Sequence, residues 1–482
     1  MRGVVAAGNA HTAQAAAEIL RAGGNAVDAA VAAAAMSWIA EPLLASPGGA
    51  GMMTVALSGR PPATVDFFST VPGRGAAAPT SRDFAAVEVD FGAASQVFHV
   101  GRGSAAVPLA LPGLVESARR FGTLPLSDVL RPAVTTARAG VPLSAGGAHV
   151  FGLLWPILVR DPDTVALFAP RGRPPAAGEP LRNEPLADLL EELGRTGVVP
   201  ESLRAGILAG FGPERGGSIT AADLDTAGVS VGEPRRIRLG DWEALTSPRV
   251  GGRLVALICE ELAACARAPT DAAEVLRMAR ASATGHRHRG AAGNAVTPGS
   301  TTHISVVDSV GGAVAVTLTN GEGCGHLIPG TGAQMNNFLG EEDLSPGGFH
   351  AHTPGARLPT MIAPTVALHG GKPVLACGSG GSNRIRSSVA QVLYRVACLG
   401  QPLDEAVHAP RVHAEDDAVW LELEGLDDPD ACLRALADEF SRVYPFNTVD
   451  FFFGGVHTVL RGDDGHLQGQ GDRRRGGQAV EV

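Results

Sequence analysis

The chain has 482 residues, 45% of them hydrophobic and only 18% charged, which is ample for a sizeable core and excludes whole-chain disorder. Its 39 Lys+Arg against 49 Asp+Glu leave a net charge of −10, which argues against nucleic acid or an anionic membrane as the main partner. Six cysteines form no CxxC pair and no zinc-like spacing, so they are expected to be reduced, buried, small apolar groups.

The N-terminus enters a helical pattern directly, without the charged start, apolar run and cleavage site of a secretory signal. The Ala-rich run 29–35 lies between Asp28 and Glu41, too close together for a membrane span. The expectation is a soluble, cytoplasmic protein. Two helices are predicted, over 12–22 and 25–39, with Asn25 as the N-cap of the second and Pro42 ending it. ASPGGAGMMTVAL then reads as a glycine-rich turn feeding a strand, and ATVDFF as the next strand. From about 108 to 266 helical segments such as LADLLEELGRTG alternate with Pro- and Gly-rich breaks. The stretch 281–300, small, polar and glycine-rich, reads as a slack linker.

Beyond it HISVVD, Gly311-Gly312 and AVAVTLT read as a hairpin. A Gly/Pro-rich loop, 320–359, follows, and its part 340–359 reads equally as a lid or an irregular surface loop. APTVALHGGKPVLACGSGG is a second hairpin that runs through glycines into the helix SNRIRSSVAQVLYRVACLG. Helices beside hairpin-paired strands point to α+β or a layered α/β/β/α class.

Two stretches can carry chemistry. Thr301 and Thr302 open a strand straight after the linker. A threonine hydroxyl needs a base. Cutting the chain before the threonine would supply one, because an α-amine titrates at about 7.7–8.0. The alternative is an ordinary edge strand. In CGSGGSNRIRS, a strand ending in glycines at a helix start can hold an anion or a developing oxyanion, or be only a tight turn. His286/His288 and His350/His352 have metal-like spacing without carboxylate or cysteine companions, so no metal is expected, and no cofactor. His303 is read as a satisfied polar residue, not a general base.

Together these stretches resemble the γ-glutamyltranspeptidase family of N-terminal nucleophile hydrolases. The resemblance is collinear over most of the chain: GGNAVDAAVAAAAMSWIAEP and SPGGAGMM, then AVPLALPGLVESARRFGTLPLSDVLRPAVTTARAG, then GGSITAADLDTAGVSVGEPRRIRLGDWEALTSPRVGGRLVAL, then STTHISVVDSVGGAVAVTLTN, MNNF, PTMIAPTV, GSGGSNRIRS and GQGDRRRGG. It implies an α+β, four-layer αββα sandwich and a precursor that cuts itself between Ser300 and Thr301. The products would be a large subunit, 1–300, and a small subunit, 301–482, interleaved in one structural unit. It implies that Thr301 is the nucleophile of both cleavage and catalysis, that Thr319 bonds to its hydroxyl, and that Gly380 and Gly381 supply oxyanion N–H groups.

The resemblance fails around the substrate. The position of the family's carboxylate-binding arginine is Phe68, and its paired serines fall on Pro359 and Thr360. Its asparagine falls on Gly321, beside Asn320. Glu341 stands at its amine-binding acid, and Arg357 is a candidate replacement for the lost arginine. The expected substrate is therefore a small amide or acyl compound other than glutathione, with hydrolysis or acyl transfer through an acyl-enzyme. One alternative is a C–C bond hydrolase of a specialised-metabolite (antibiotic) pathway using the same machinery. The alternative of another class is an unprocessed, non-catalytic scaffold.

Overall fold

The computed structural model describes residues 2–75, 81–90, 95–264, 268–289, 300–345 and 347–482. Its centre is a pair of sheets. The seven-stranded sheet has the spatial order Gln478–Glu481, Gly3–Ala7, Thr301–Asp308, Ala313–Thr319, Ala50–Ala56, Ala63–Phe67, Ser230–Gly232. The six-stranded sheet runs Leu467–Gln470, Gly455–Arg461, Lys372–Gly380, Thr365–His369, Trp242–Thr246, Arg235–Leu239. All pairings within both are antiparallel.

The two-residue period of each strand divides its side chains between layers. Val4, Ala6, Val307, Ala313 and Ala315 of the first sheet meet Leu245, Val366, Ala376 and Val459 of the second. Val5, Ala7, Ile304, Val306, Val314 and Val316 face the other way and pack with the helix Ala26–Ala40. On the outer side of the second sheet, Ala367, Leu375 and Cys377 join the helices Val250–Ala263 and Arg384–Ala397. The result is helix, sheet, sheet, helix.

Local chemistry explains the elements that place the site. Asn25 caps Ala26–Ala40 by accepting from the Val27 and Asp28 amides, and Asp28 reaches back to the Asn25 amide. Every residue of that helix is buried, and its alanines let the flanking helices and the sheet approach closely. In the hairpin that follows residue 300, Asp308 accepts from the amides of Val310, Gly312 and, across the chain, Ala26. Gly311 takes φ +93°, a conformation that favours glycine. This turn sets the register, and the register puts Thr301 directly opposite Thr319.

The structure corrects one expectation. The first part of the segment read as a slack linker is helical, because the helix Asp271–Arg287 runs through it and Arg289 is buried beyond. Its small residues are contact residues. A Cβ at Gly285 would meet Ile258 at 2.8 Å, and Ser282 exchanges hydrogen bonds with the backbone of Ala414. The remainder, 290–299, lies outside the described residues. The loop 340–359 is stitched to the strand end at 67–71: Val71 donates to the Ala356 carbonyl, Gly355 to Val71 and Leu358 to Ser69. Among the described cysteines, Cys259, Cys324, Cys377 and Cys432 are buried thiols and Cys398 is half-buried, while Cys265 lies outside the described residues. No helix among the described residues is long and apolar enough to cross a membrane.

Candidate active site

The first residue of the Thr301–Asp308 strand and the last of its partner bring two buried hydroxyls together. Thr301 Oγ1 donates to Thr319 Oγ1 at 3.2 Å, and Thr319 Oγ1 donates to the carbonyl of Ser300 at 2.8 Å. The Gly321 amide also donates to Thr319 Oγ1, at 3.2 Å. Ser300 is held from its other side, where its amide bonds to the Glu322 carboxylate. Ser300 is thus held at both its amide and its carbonyl, and the carbonyl oxygen of the Ser300–Thr301 peptide accepts a hydrogen bond from a hydroxyl.

The glycine turn ending the Lys372–Gly380 strand sits against this threonine. A Cβ on Gly380 would lie 2.3 Å from the Thr301 carbonyl oxygen, so only glycine allows the approach. Gly381 has φ +122° and Ser382 φ +48°. Ser382 Oγ donates to Asp343 at 2.6 Å, and Asp343 is paired at 3.0 Å with the buried Arg289. The turn is therefore braced from behind by a buried ion pair. His303 lies on the same face as Thr301. Ser305 Oγ donates to the His457 carbonyl, so His303 Nε2 carries the proton it gives to Ser305 at 2.9 Å, while Nδ1 accepts from Thr317 at 2.8 Å. Burial, with His457 nearby, holds its pKa well below the usual range. It is a satisfied buried polar residue.

Of the residues read as substrate-binding, Glu341 is half-buried near two other acids. Burial, then Glu322 and Asp343, push its pKa well above the carboxylate range, and burial lifts Glu322 to about 7. Asn337 spans this group, donating to Glu322 Oε2 at 3.4 Å and accepting the Glu322 amide at 2.9 Å. Asn320 is buried and donates to Gln334 Oε1 at 3.1 Å. Phe68 is buried and stacks on Phe338 with ring centroids 5.2 Å apart. Arg357 is committed elsewhere: it donates to the Phe68 and Gly228 carbonyls and lies 3.5 Å from Asp66. Thr360 turns inward, its hydroxyl accepting from the Ile362 amide.

A cavity of about 710 Å³ opens beside the threonines, lined by Thr301, Thr302, Glu41, Phe151, Phe451 and Arg475 among others. Two of these are residues the sequence reading missed. Glu41 accepts from Thr302 at 2.9 Å and Thr12 at 2.8 Å, and burial raises its pKa to about 7 against those two bonds. In the sequence it stood as one of two acids bracketing the Ala-rich run and as the residue before a helix-ending proline, with no site role. Arg475 stands with its guanidinium 3.7 Å from the centre of the Phe451 ring. It is the third of three consecutive arginines, and in the sequence it stood only within GQGDRRRGG, as part of the resemblance and with no site role. Among the described residues no group of three His, Cys, Asp or Glu is arranged to hold a metal ion.

The chain is similar to known proteins along most of its length. The family model described as gamma-glutamyltranspeptidase matches residues 12–262 and 258–482. The Acylase ACY 1 proenzyme of Pseudomonas sp. strain SE83 is 30% identical over an alignment covering 100% of this chain and 94% of that protein. The glutathione hydrolase proenzyme of Pseudomonas aeruginosa is 28% identical, covering 85% and 82%. The crystal structure of cephalosporin acylase from Bacillus halodurans superimposes with a TM-score of 0.82 at 23% identity, over 99% of this chain and 95% of that one, and so shares the fold.

Proposed function

The chain belongs to the gamma-glutamyltranspeptidase family, an enzyme family of the N-terminal nucleophile type, and on that premise we propose that it cuts itself between Ser300 and Thr301 and then acts as a threonine amidohydrolase. The observation that carries this reading is the relay from Thr301 Oγ1 to Thr319 Oγ1 to the Ser300 carbonyl, at 3.2 and 2.8 Å. A hydroxyl beside the carbonyl of its own preceding peptide can attack it. The hydrogen bond from Thr319 strengthens as that oxygen gains charge. The Thr301 amide nitrogen leaves with the hydroxyl's proton, an ester forms, and water resolves it to a Ser300 carboxylate and a free Thr301 amine.

That amine, at about 7.7–8.0, is a suitable base for its own hydroxyl at neutral pH. Thr301 Oγ1 then adds to a substrate amide. The oxyanion is met by the backbone of Gly380 and Gly381, and the departing amine takes the proton from the Thr301 ammonium. Water, or an acceptor amine, releases the acyl group.

The substrate side supports an amide other than glutathione. Phe68 and Phe338 form an aromatic stack where a carboxylate would need a cation, and Arg357 is already held by two carbonyls. An acylase proenzyme is matched along the whole chain at 30% identity.

A denaturing gel tests the proposal. Purified wild type is expected to give two unequal bands, and Thr301→Ala a single full-length one. N-terminal sequencing should read TTHIS on the smaller. An intact wild-type chain after prolonged incubation would remove the basis for the assignment.

A further inference from the structure

We infer that the buried carboxyl of Glu41 gives a proton to the Thr301 nitrogen as the Ser300–Thr301 peptide breaks; this rests on the self-cleavage reading above. A trans peptide points its C=O and its N–H in opposite directions, and among the described residues no peptide is cis. Thr319 bonds the Ser300 carbonyl on the edge shared with the strand Ala313–Thr319, so the Thr301 nitrogen faces the other edge. The sheet ladder agrees. Ser309 donates to the Arg2 carbonyl and Asp308 to that of Gly312, an alternation that turns the odd residues of Thr301–Asp308 toward Gly3–Ala7. That partner strand pairs only as far as Ile304. The Thr301 nitrogen therefore points past its end, on the side of the cavity of about 710 Å³ lined by Gly8, Glu41, Thr301, Thr302 and His457 among others.

Among the described residues Glu41 is the one acid in the wall of that cavity. Two hydroxyls aim it, Thr302 at 2.9 Å on Oε1 and Thr12 at 2.8 Å on Oε2, and Thr302 directly follows Thr301. Gly8 keeps the approach open. Its backbone is outside the left-handed region, so its conformation does not require glycine. A Cβ there, however, would lie 2.7 Å from Glu41 Oε1, 3.1 Å from Thr302 Oγ1 and 3.4 Å from His457 Nε2. Three polar atoms border the gap, a setting in which a water molecule carries the proton onward to the nitrogen.

Burial raises the Glu41 pKa to about 7 against its two hydroxyl bonds, so part of it holds a proton at neutral pH. The other ionisable side chains in the wall are His11, His149, His457, Arg473, Arg474 and Arg475. His457 is kept neutral, because burial lowers its pKa to about 4 and the Asp472 amide donates to its Nδ1. Arg473 pairs with Glu424, and Arg474 with Glu422 and Asp472. The step balances. Thr301 Oγ1 adds to the Ser300 carbon while its proton passes through Thr319 to the carbonyl oxygen. The C–N bond then breaks and the nitrogen takes the proton of Glu41. The carbonyl re-forms as its oxygen releases a proton to water, from which Glu41 recovers one. The products are the ester and the free amine, and the net transfer is still from hydroxyl to nitrogen.

Full chain made by cell-free synthesis, followed on a denaturing gel from about pH 5.5 to 8.5, tests this. The protonated acid is the active form. The ratio of the wild-type cleavage rate to that of Glu41→Gln should be about 100 at the low end and fall steeply as pH rises through about 7. Hydroxylamine, which opens esters, should not rescue the variant, because the loss precedes the ester. His11→Gln and His149→Gln should keep the wild-type profile. Thr302→Val leaves the carboxyl without its aim and should lose part of the ratio; it is the variant read if thermal melting shows Glu41→Gln unfolded. A folded Glu41→Gln within about twofold of wild type across the range overturns the inference, as does rescue by hydroxylamine or a profile that moves with His11 or His149. Where Glu41→Gln does not fold, a Thr302→Val chain with the wild-type rate and profile overturns it. A wild type that cleaves at no pH overturns the self-cleavage reading, and the role of Glu41 with it.

Discussion

Replacing Thr319 by valine keeps the volume of the side chain and removes one oxygen. That oxygen makes three hydrogen bonds: to the Ser300 carbonyl at 2.8 Å, from Thr301 Oγ1 at 3.2 Å and from the Gly321 amide at 3.2 Å. The bond to Ser300 already exists before reaction, so only its strengthening counts toward the rate. A hydrogen bond to a charged group contributes about 1.5–3 kcal/mol net, against about 0.5–1.5 for a neutral one. The difference, about 1–1.5 kcal/mol, is close to tenfold in rate. Loss of the acceptor that aims Thr301 Oγ1 adds to this, so self-cleavage should slow by about 10- to 100-fold. The assay is the time course of the two product bands on a denaturing gel, with thermal melting run in parallel. Burying an unpartnered carbonyl should also cost about 1–3 kcal/mol of stability. Thr319→Ser, which keeps the oxygen, should process at close to the wild-type rate. A folded Thr319→Val chain that processes within twofold of wild type would refute the relay.

Gly380→Ala places a methyl group 2.3 Å from the backbone oxygen of Thr301, and neither side can yield like a flexible side chain; processing should fall to background on the same gel. Glu41 has a folded pKa raised from 4.5 to about 7, so the native state binds more protons than the unfolded chain between those values, and its contribution to stability falls as pH rises through that window. Comparing Tm of wild type with Glu41→Gln from pH 4.5 to 8 should show the wild type losing up to about 3 kcal/mol relative to the variant, and parallel curves would contradict the assignment. Arg289→Met removes the cation paired with the buried Asp343 and should cost about 3–5 kcal/mol in urea unfolding, whereas an unchanged midpoint would show that the pair is not formed. Turnover of γ-glutamyl-p-nitroanilide should be weak or absent, because the Phe68–Phe338 stack offers its α-carboxylate no partner. Robust turnover would show that another group takes it.

The parts of the fold governed by short-range rules could be read directly from the residues. The Asn25 cap, the hairpin that aligns Thr301 with Thr319, and the turn at Gly370-Gly371 each depend on a few neighbouring side chains and were placed correctly. Residues 281–287 were not, because a run of small and polar side chains shows no apolar period when what holds it is tight contact with Ile258 and Ala414, far away in sequence. Glu41 and Arg475 were invisible for a related reason. Glu41 acquires its character only when Thr12 and Thr302 converge on it, and Arg475 only when Phe451 and two glycines surround it. Arg357 shows the reverse: a cation that looks available in the sequence is turned by the fold onto the carbonyls of Phe68 and Gly228.

The strand order of the first sheet bears on how the protein must be made. Gly3–Ala7 lies between Gln478–Glu481 and Thr301–Asp308, and Ala313–Thr319 lies beside Ala50–Ala56, so segments from either side of residue 300 are interleaved in the sheet. Produced as separate polypeptides, each portion would present raw strand edges with nothing to complete them, and it should aggregate. Made together, or as one chain severed only after assembly, they hold each other by ladders that no single missing peptide bond can loosen.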